Sequence, residues 1–472
     1  MPTRSSALLA AATVAALLVA PVTANAAGTQ HGPQLKGQRV GYFTQWGADS
    51  SAKRVQESGQ AGKLTVINYA FGNVSADGTC FETNDAGQGD AYNDYQRAFS
   101  AADSVDGVAD APDQKLKGHF NQLRKLKAVN PQLRAVISLG GWSWSKYFSD
   151  AAATDEARRK FVSSCIDLYL KGDVPQLAGS PEGGKGVAAG VFDGIDVDWE
   201  YPGGGGDAGN VVRPEDGRNF TLLMAEFRKQ LDELGGKRGP HATSDATSDG
   251  TSDGTSDGTS DGTSDGTSEG KGRGKGKHYL LTAAVAANET VADRLELPEL
   301  ARTVDWLNLM TYDLHGPWEG KGPANHHANL YSDPTDSDAR QRSADKAVDH
   351  YAQRGLPSRQ TVLGTPFYGH GWTGVPAGAR HGLYQKATGT VPDRSYKEIN
   401  ALPGTTYVDR DHGASWRYDG STFYSYDSAE VLTAKARYAR WNDLAGVMVW
   451  SLDGDDARGS GIAALDRGLR GN

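Results

Sequence analysis

The sequence predicts an α/β fold: a (β/α)8 TIM barrel with a small α+β insertion subdomain between strands 7 and 8. Three observations carry that expectation. Eight short runs are apolar almost throughout, as strands of a parallel sheet buried on both faces are. Segments with apolar residues at helical spacing fall between them. One connection, ahead of the last run, is about 75 residues long, far beyond a loop plus a helix.

Taken in order, the chain begins with a processing signal. Arg4 supplies positive charge, Ala7–Val22 is an apolar run of small residues, and Ala24-Asn25-Ala26 reads as a cleavage site, so residues 1–26 are expected to be a signal peptide and the protein to be secreted. Thr13 and Pro21 interrupt the run, which is shorter than the about 20 apolar residues of a membrane anchor. The barrel is expected over 39–472, on the runs Arg39–Trp46, Leu64–Val74, Leu133–Gly140, Val191–Tyr201, Tyr279–Ala286, Trp306–Tyr312, Val362–Tyr368 and Gly446–Leu452. Leu116, Phe120, Leu123 and Leu126 mark one crossover helix, and Phe161, Cys165 and Leu168 another. Phe220, Leu223, Phe227, Leu231 and Leu234 mark a third, stopped by Gly235. A doubly wound sheet is the rival fold, but Gly41–Gly47 carries no G-x-G-x-x-G turn.

Two stretches fall outside this pattern. Thr243–Gly270 is seven tandem tetrapeptides of the TSDG type, and a basic run follows to Lys277; without apolar residues, 243–277 is expected to be a disordered loop. Gly374–Tyr424, rich in Tyr, Thr and Gly, is expected to form the inserted subdomain, with Ser428–Trp441 as the barrel helix after it. No room is expected for a separate carbohydrate-binding module.

Composition narrows the function classes. The 472 residues are 38% hydrophobic, which suits a packed core and excludes fibrous or wholly disordered chains. The net charge of −9 argues against nucleic acid. The repeat tract holds six Asp and one Glu, so the rest of the chain carries only −2. Outside the leader no stretch is apolar enough to span a bilayer, and a monomer is expected. Cys80 and Cys165 are too few for a zinc site or a disulfide scaffold; one bridge, or a core role for Cys165, are both open.

The chemistry concentrates in Phe192–Tyr201. Asp196, Asp198 and Glu200 stand at i, i+2 and i+4, so in a strand all three face one side, which in a barrel is the interior. Buried carboxylates repel one another, so some of the three must hold protons near neutral pH. Glu200, last in the series, falls at the strand's C-terminal end, where barrel active sites sit, and suits proton donation to a leaving oxygen. A carboxylate cluster also suits magnesium or calcium, but Tyr201-Pro202-Gly203 offers few further ligands. The expectation is acid–base chemistry with no metal and no cofactor. Ser138, Trp142, Met310, Tyr312, Asp313 and Trp450 fall at other strand ends, with Tyr42 and Phe71 in strands one and two. Aromatic residues gathered around buried acids point to sugar rings. His315 and His370 fall in top loops within reach of a ligand, with no partner at metal-ligand spacing.

At these residues the chain resembles glycoside hydrolase family 18, the retaining chitinases. Asp193–Pro202 looks like the family's D-x-x-D-x-D-x-E signature, and Ser138–Trp142, Met310–Asp313 and Trp450 match its secondary motifs in order. The resemblance implies chitin and chito-oligosaccharides as substrates and a substrate-assisted mechanism. Glu200 is then the acid and later the base, and Asp198 orients the acetamide of the −1 sugar with Asp196 as its proton-sharing neighbour. Tyr42 and Ser138 support the inner carboxylate, and Tyr312 binds the acetamide carbonyl. Asp313 binds the −1 sugar, Trp450 forms its floor, and Trp142 stacks at +1. Phe71 and Met310 complete the expected substrate contacts. His370 departs from the pattern, which often has Arg there. An endoglycosidase on protein-linked N-glycans and a chitin-binding lectin are the alternatives, although such lectins lack the terminal acid that Glu200 supplies. A metal-dependent deacetylase is a more distant one.

Overall fold

The structure is a computed structural model of the chain and describes residues 36–47, 51–236 and 276–471. The expected leader at 1–26 and the repeats at 243–270 lie outside the described residues.

Eight parallel strands close into a barrel: β1 (Gln38–Thr44), β2 (Val66–Val74), β3 (Arg134–Gly140), β4 (Gly194–Asp198), β5 (Leu280–Ala286), β6 (Trp306–Met310), β7 (Thr361–Pro366) and β8 (Gly446–Trp450). Each pairs with its successor, and β8 returns to β1. Side-chain alternation divides every strand between two environments. Outward residues such as Ile137, Ile195, Val197, Leu281, Leu307 and Leu363 join one large core beneath the helices. Inward residues near the bottom, among them Val66, Val136, Leu280, Trp306 and Val362, plug the barrel with a second apolar cluster. Burying each such side chain contributes roughly 1.5–3 kcal/mol. Above that plug the inward positions turn polar, and the site is built there.

The crossover helices follow the expected spacing. Gly118–Val129 buries Phe120, Leu123 and Leu126. Asp155–Cys165 starts at Thr154, whose side chain accepts from the Ala157 amide at 3.1 Å. Asp216–Leu234 buries Phe220, Leu223, Phe227 and Leu231 and ends at Gly235, with Gly236 taking the left-handed conformation at φ 76°. Among the described residues, no helix is long and apolar enough to cross a membrane.

Between β7 and β8 lies a five-stranded antiparallel sheet, ordered Gly389–Ser395, Tyr368–Thr373, Phe423–Tyr426, Ala414–Tyr418 and Thr405–Asp409, with the helix Tyr396–Ala401. Trp372, Leu383, Trp416 and Phe423 form its own small core. The sheet begins at Tyr368, not near Gly374, because the run read as one strand, Val362–Tyr368, is divided. The barrel ladder runs one residue past Pro366, where the Phe367 amide donates to the Trp450 carbonyl at 2.7 Å, and Tyr368 already pairs with Ser395 in the second sheet.

Cys80 and Cys165 are bonded to each other, with Cα atoms 4.9 Å apart. Both readings of Cys165 hold, since it is bridged and fully buried. The bond ties the short strand Cys80–Phe81, which pairs with the end of β2, to the helix Asp155–Cys165.

Candidate active site

A cleft of about 1070 Å³ opens at the C-terminal ends of the barrel strands. Tyr42, Phe71, Trp142, Asp198, Glu200, Met310, Tyr312, Asp313 and Trp450 line it. Ser138 and Asp196, also expected at the site, are fully buried and do not reach its wall.

Asp196 is the anchor. It points inward from β4 and accepts four hydrogen bonds: from Tyr42 Oη at 2.8 Å and Ser138 Oγ at 2.7 Å on one oxygen, and from Thr282 Oγ1 at 2.5 Å and Asn308 Nδ2 at 3.2 Å on the other. Burial raises its pKa, and the four donors oppose that rise. Asp198, one inward position higher, has no such support. Burial first, then the charges of Glu200 and Asp196, push its pKa well above the carboxylate range. Its Oδ1 is buried without a hydrogen-bond partner, which is uncommon for a carboxylate oxygen.

Glu200 lies two residues beyond the end of β4 rather than within the strand. Its backbone is gripped on both sides. The amide donates to Ser145 Oγ at 2.8 Å, and the carbonyl accepts from Asn210 Nδ2 at 2.9 Å. Close approach of β3 makes this possible: at Gly140, φ 106°, a Cβ would come within 2.4 Å of the Asp198 carbonyl oxygen. Burial raises the Glu200 carboxyl to about 7, a hydrogen bond with Tyr201 opposes the rise, and Asp313 adds to it. The peptide bonds Ala70–Phe71, Glu200–Tyr201 and Trp450–Ser451 are cis.

Aromatic rings pave the floor. Phe71 stacks on Trp450 with centroids 5.6 Å apart at 18°, Tyr42 meets Trp450 at 5.3 Å, and Trp46 lies over Phe71 at 5.9 Å. Trp142 and Trp318 line the cleft and remain exposed. Tyr312 donates only to Met448 Sδ, at 3.8 Å, a weak acceptor that leaves the phenol free for a better one.

Asp313 sits at the rim with a left-handed backbone, φ 56°. Tyr368 donates to its Oδ1, and His370 Nε2 lies 2.9 Å from the same atom. Burial works against ionisation of Asp313, but His327 and His370 outweigh it and hold the carboxyl below its usual range. His370 is clamped from its other side by Asp393, at 2.7 Å. Burial would lower its pKa, yet the two carboxylates raise it to about 9, so it is a cation where the family pattern often has Arg. His315 is not in the cleft wall. It is buried in a network with Glu319 at 2.9 Å and Arg342 at 3.2 Å.

The whole chain can be compared with known proteins on this basis. The model of the glycosyl hydrolases family 18 matches residues 38–455. The chain belongs to that family. It is 32% identical to chitinase A1 of Niallia circulans, over 95% of this chain and 60% of that one. It is 33% identical to chitinase C of Streptomyces lividans, over 89% and 58%. The catalytic domain of a psychrophilic chitinase B from Arthrobacter TAD20 superposes with a TM-score of 0.80 at 39% identity, covering 93% of this chain and 97% of that one. The chain thus spans about three fifths of the length of these two curated relatives.

Several parts of this family 18 site escaped the sequence reading. Thr282 and Asn308, which hold Asp196, were visible in principle, because each is a polar residue at an inward position of an apolar strand. Trp46 follows β1 and Trp318 stands in the 3-10 turn Pro317–Glu319, each next to a recognised motif. Ser145, Tyr201 and His327 carried no signal beyond residue type. His370 has no partner at metal-ligand spacing in sequence, yet in space Asp313, 57 positions away, and His327 both face it.

Proposed function

We propose that the protein is a secreted, cofactor-free, endo-acting chitinase that cuts β-1,4 linkages between N-acetylglucosamine units with net retention, working as a monomer. One observation carries the reading: a carboxyl held at about 7, Glu200, stands at the rim of an aromatic cleft beside a buried carboxyl, Asp198, whose Oδ1 has no partner. Glu200 gives its proton to the glycosidic oxygen as the C1–O bond breaks. The acetamide oxygen of the −1 sugar closes on C1 to form an oxazolinium ion. Asp198 takes up the acetamide N–H at its free oxygen and, passing its own proton to Asp196, stabilises the positive ring as a carboxylate. Tyr312 turns from Met448 to the acetamide carbonyl. Water then attacks C1, returns a proton to Glu200, and leaves the β-anomer. Asp196, fixed by four donors, keeps the Asp pair titrating as one unit.

The chitinase names of the relatives support the substrate, and the Ala24-Asn25-Ala26 site and the disulfide support secretion. The deciding experiment follows products from a chito-oligosaccharide by proton NMR beside a glycoprotein bearing N-glycans. Early β-anomer from the oligosaccharide and an untouched glycoprotein are expected. Release of N-glycans with intact oligosaccharide refutes the proposal, as does early α-anomer.

A further inference from the structure

Two clusters of histidine and carboxylate side chains converge among the described residues. In one, Asp333, Asp409 and His412, a cation is already present: Arg380 lies 2.7 Å from Asp333 and 2.9 Å from Asp409. The other is Asp313, His327 and His370, whose ligand atoms lie within 4.8 Å of one another. Asp313 Oδ1 is 2.9 Å from His370 Nε2 and 3.7 Å from His327 Nδ1. An ion bound tetrahedrally at about 2.0–2.1 Å sets its ligand atoms about 3.3 Å apart, and the two observed distances bracket that spacing.

His327 supplies the second, independent observation. It is fully buried, neither ring nitrogen has a hydrogen-bond partner, and Nδ1 faces the Asp313 carboxylate. A buried ring nitrogen is therefore held beside the Asp313 carboxylate, where a cation between them would be ligated by both. His370 carries the kind of outer partner that metal-binding imidazoles use, a carboxylate on the far nitrogen, here Asp393 at 2.7 Å.

We propose that Asp313, His327 and His370 bind a transition-metal dication of the zinc class, and that the bound ion closes the cleft to substrate by occupying Asp313. Two imidazoles and one carboxylate select zinc over calcium or magnesium. The ion is an inhibitor and has no part in the reaction. The binding claim is independent of which glycan the cleft cuts; the inhibition claim rests on the proposed hydrolysis.

The test is a calorimetric titration of the full chain with Zn2+ at about pH 8, because ligands must be unprotonated to bind, alongside turnover of a soluble chito-oligosaccharide. One saturable site is expected, with turnover falling at the same half-point and restored by a chelator. His327→Gln should weaken zinc at least tenfold, read by calorimetry alone. Asp393→Asn should weaken zinc by about 10–100-fold through the loss of an outer partner. His412→Gln should change neither. No saturable binding, unchanged affinity in His327→Gln, or loss of zinc in His412→Gln overturns the site. Zinc bound at full occupancy with undiminished turnover overturns the inhibition.

Discussion

Replacing Glu200 by Gln should make the protein more stable as well as inactive, and the gain should appear only as the pH rises. In the folded state the Glu200 carboxyl titrates at about 7, against 4.5 for an ordinary glutamate. Between those values the native protein holds a proton that the unfolded chain has released, so stability falls as pH increases across that window. Below about pH 4.5 both states are protonated and the effect vanishes; above about pH 7 the full cost applies. At about 1.36 kcal/mol for each pH unit of displacement, that cost is about 3 kcal/mol. Gln keeps the shape and removes the titration. For roughly 400 folded residues the unfolding entropy is about 0.8 kcal/mol/K, so the variant should melt about 4 °C above the parent at pH 8. Near pH 4 the two should differ only by a constant offset. Calorimetric melts of both proteins from pH 4 to 9 read this group together with Asp198, whose carboxyl the Glu200 charge also raises, while the buried pair Glu82 and Asp94, also raised by burial, titrates in both and cancels in the difference. Turnover should fall by about 10²–10⁴-fold or more. A melting difference that stays flat with pH, or that favours the parent at pH 8, would refute the account of Glu200 as a carboxyl kept protonated by burial.

Other outcomes follow from the same geometry. Thr282→Val removes one donor from buried Asp196 and should cost about 1–3 kcal/mol in denaturant titrations, with kcat reduced more than KM because the Asp pair, not the substrate wall, is disturbed. Paired Cys80→Ser and Cys165→Ser changes open a closure spanning 85 residues and should lower stability by about 2–5 kcal/mol; turnover per folded molecule should hold, since the bond lies outside the cleft. Deleting Thr243–Gly270 should leave oligomer turnover unchanged and the melting temperature nearly so. The chain on either side already meets, as a Cβ on Gly276 would come within 2.1 Å of the Gly235 carbonyl oxygen, and shortening a connection whose ends already meet changes closure entropy little per residue. A large loss of turnover in the folded deletion variant would contradict that placement.

The parts of this protein legible in its sequence are those governed by local period. Alternation put Asp196, Asp198 and Glu200 on one face, and helical spacing located Asp216–Leu234 to within a few residues. The same alternation marked Thr282 and Asn308, but one polar residue in an apolar run is a weak signal until the neighbouring strand is known. The end of β7 is not legible because Val362–Tyr368 is apolar on both sides of Pro366, and only the pairing of Tyr368 with Ser395 assigns it to another sheet. The cluster of Asp313, His327, His370 and Asp393 was illegible for a different reason. Its members come from a strand end, a loop and two strands of the inserted sheet, and no periodicity spans them.

The four donors to Asp196 come from β1, β3, β5 and β6, that is, from both halves of the ring. Its hydrogen bonds therefore register the roundness of the barrel. A distortion that flattens the ring must stretch some of these contacts even while every helix stays packed. The proton balance between Asp196 and Asp198 would drift, and with it the chemistry at Glu200. Heating should therefore silence the enzyme at a temperature where its far-ultraviolet dichroism is still native, with activity acting as a strain gauge for a ring that has not yet opened.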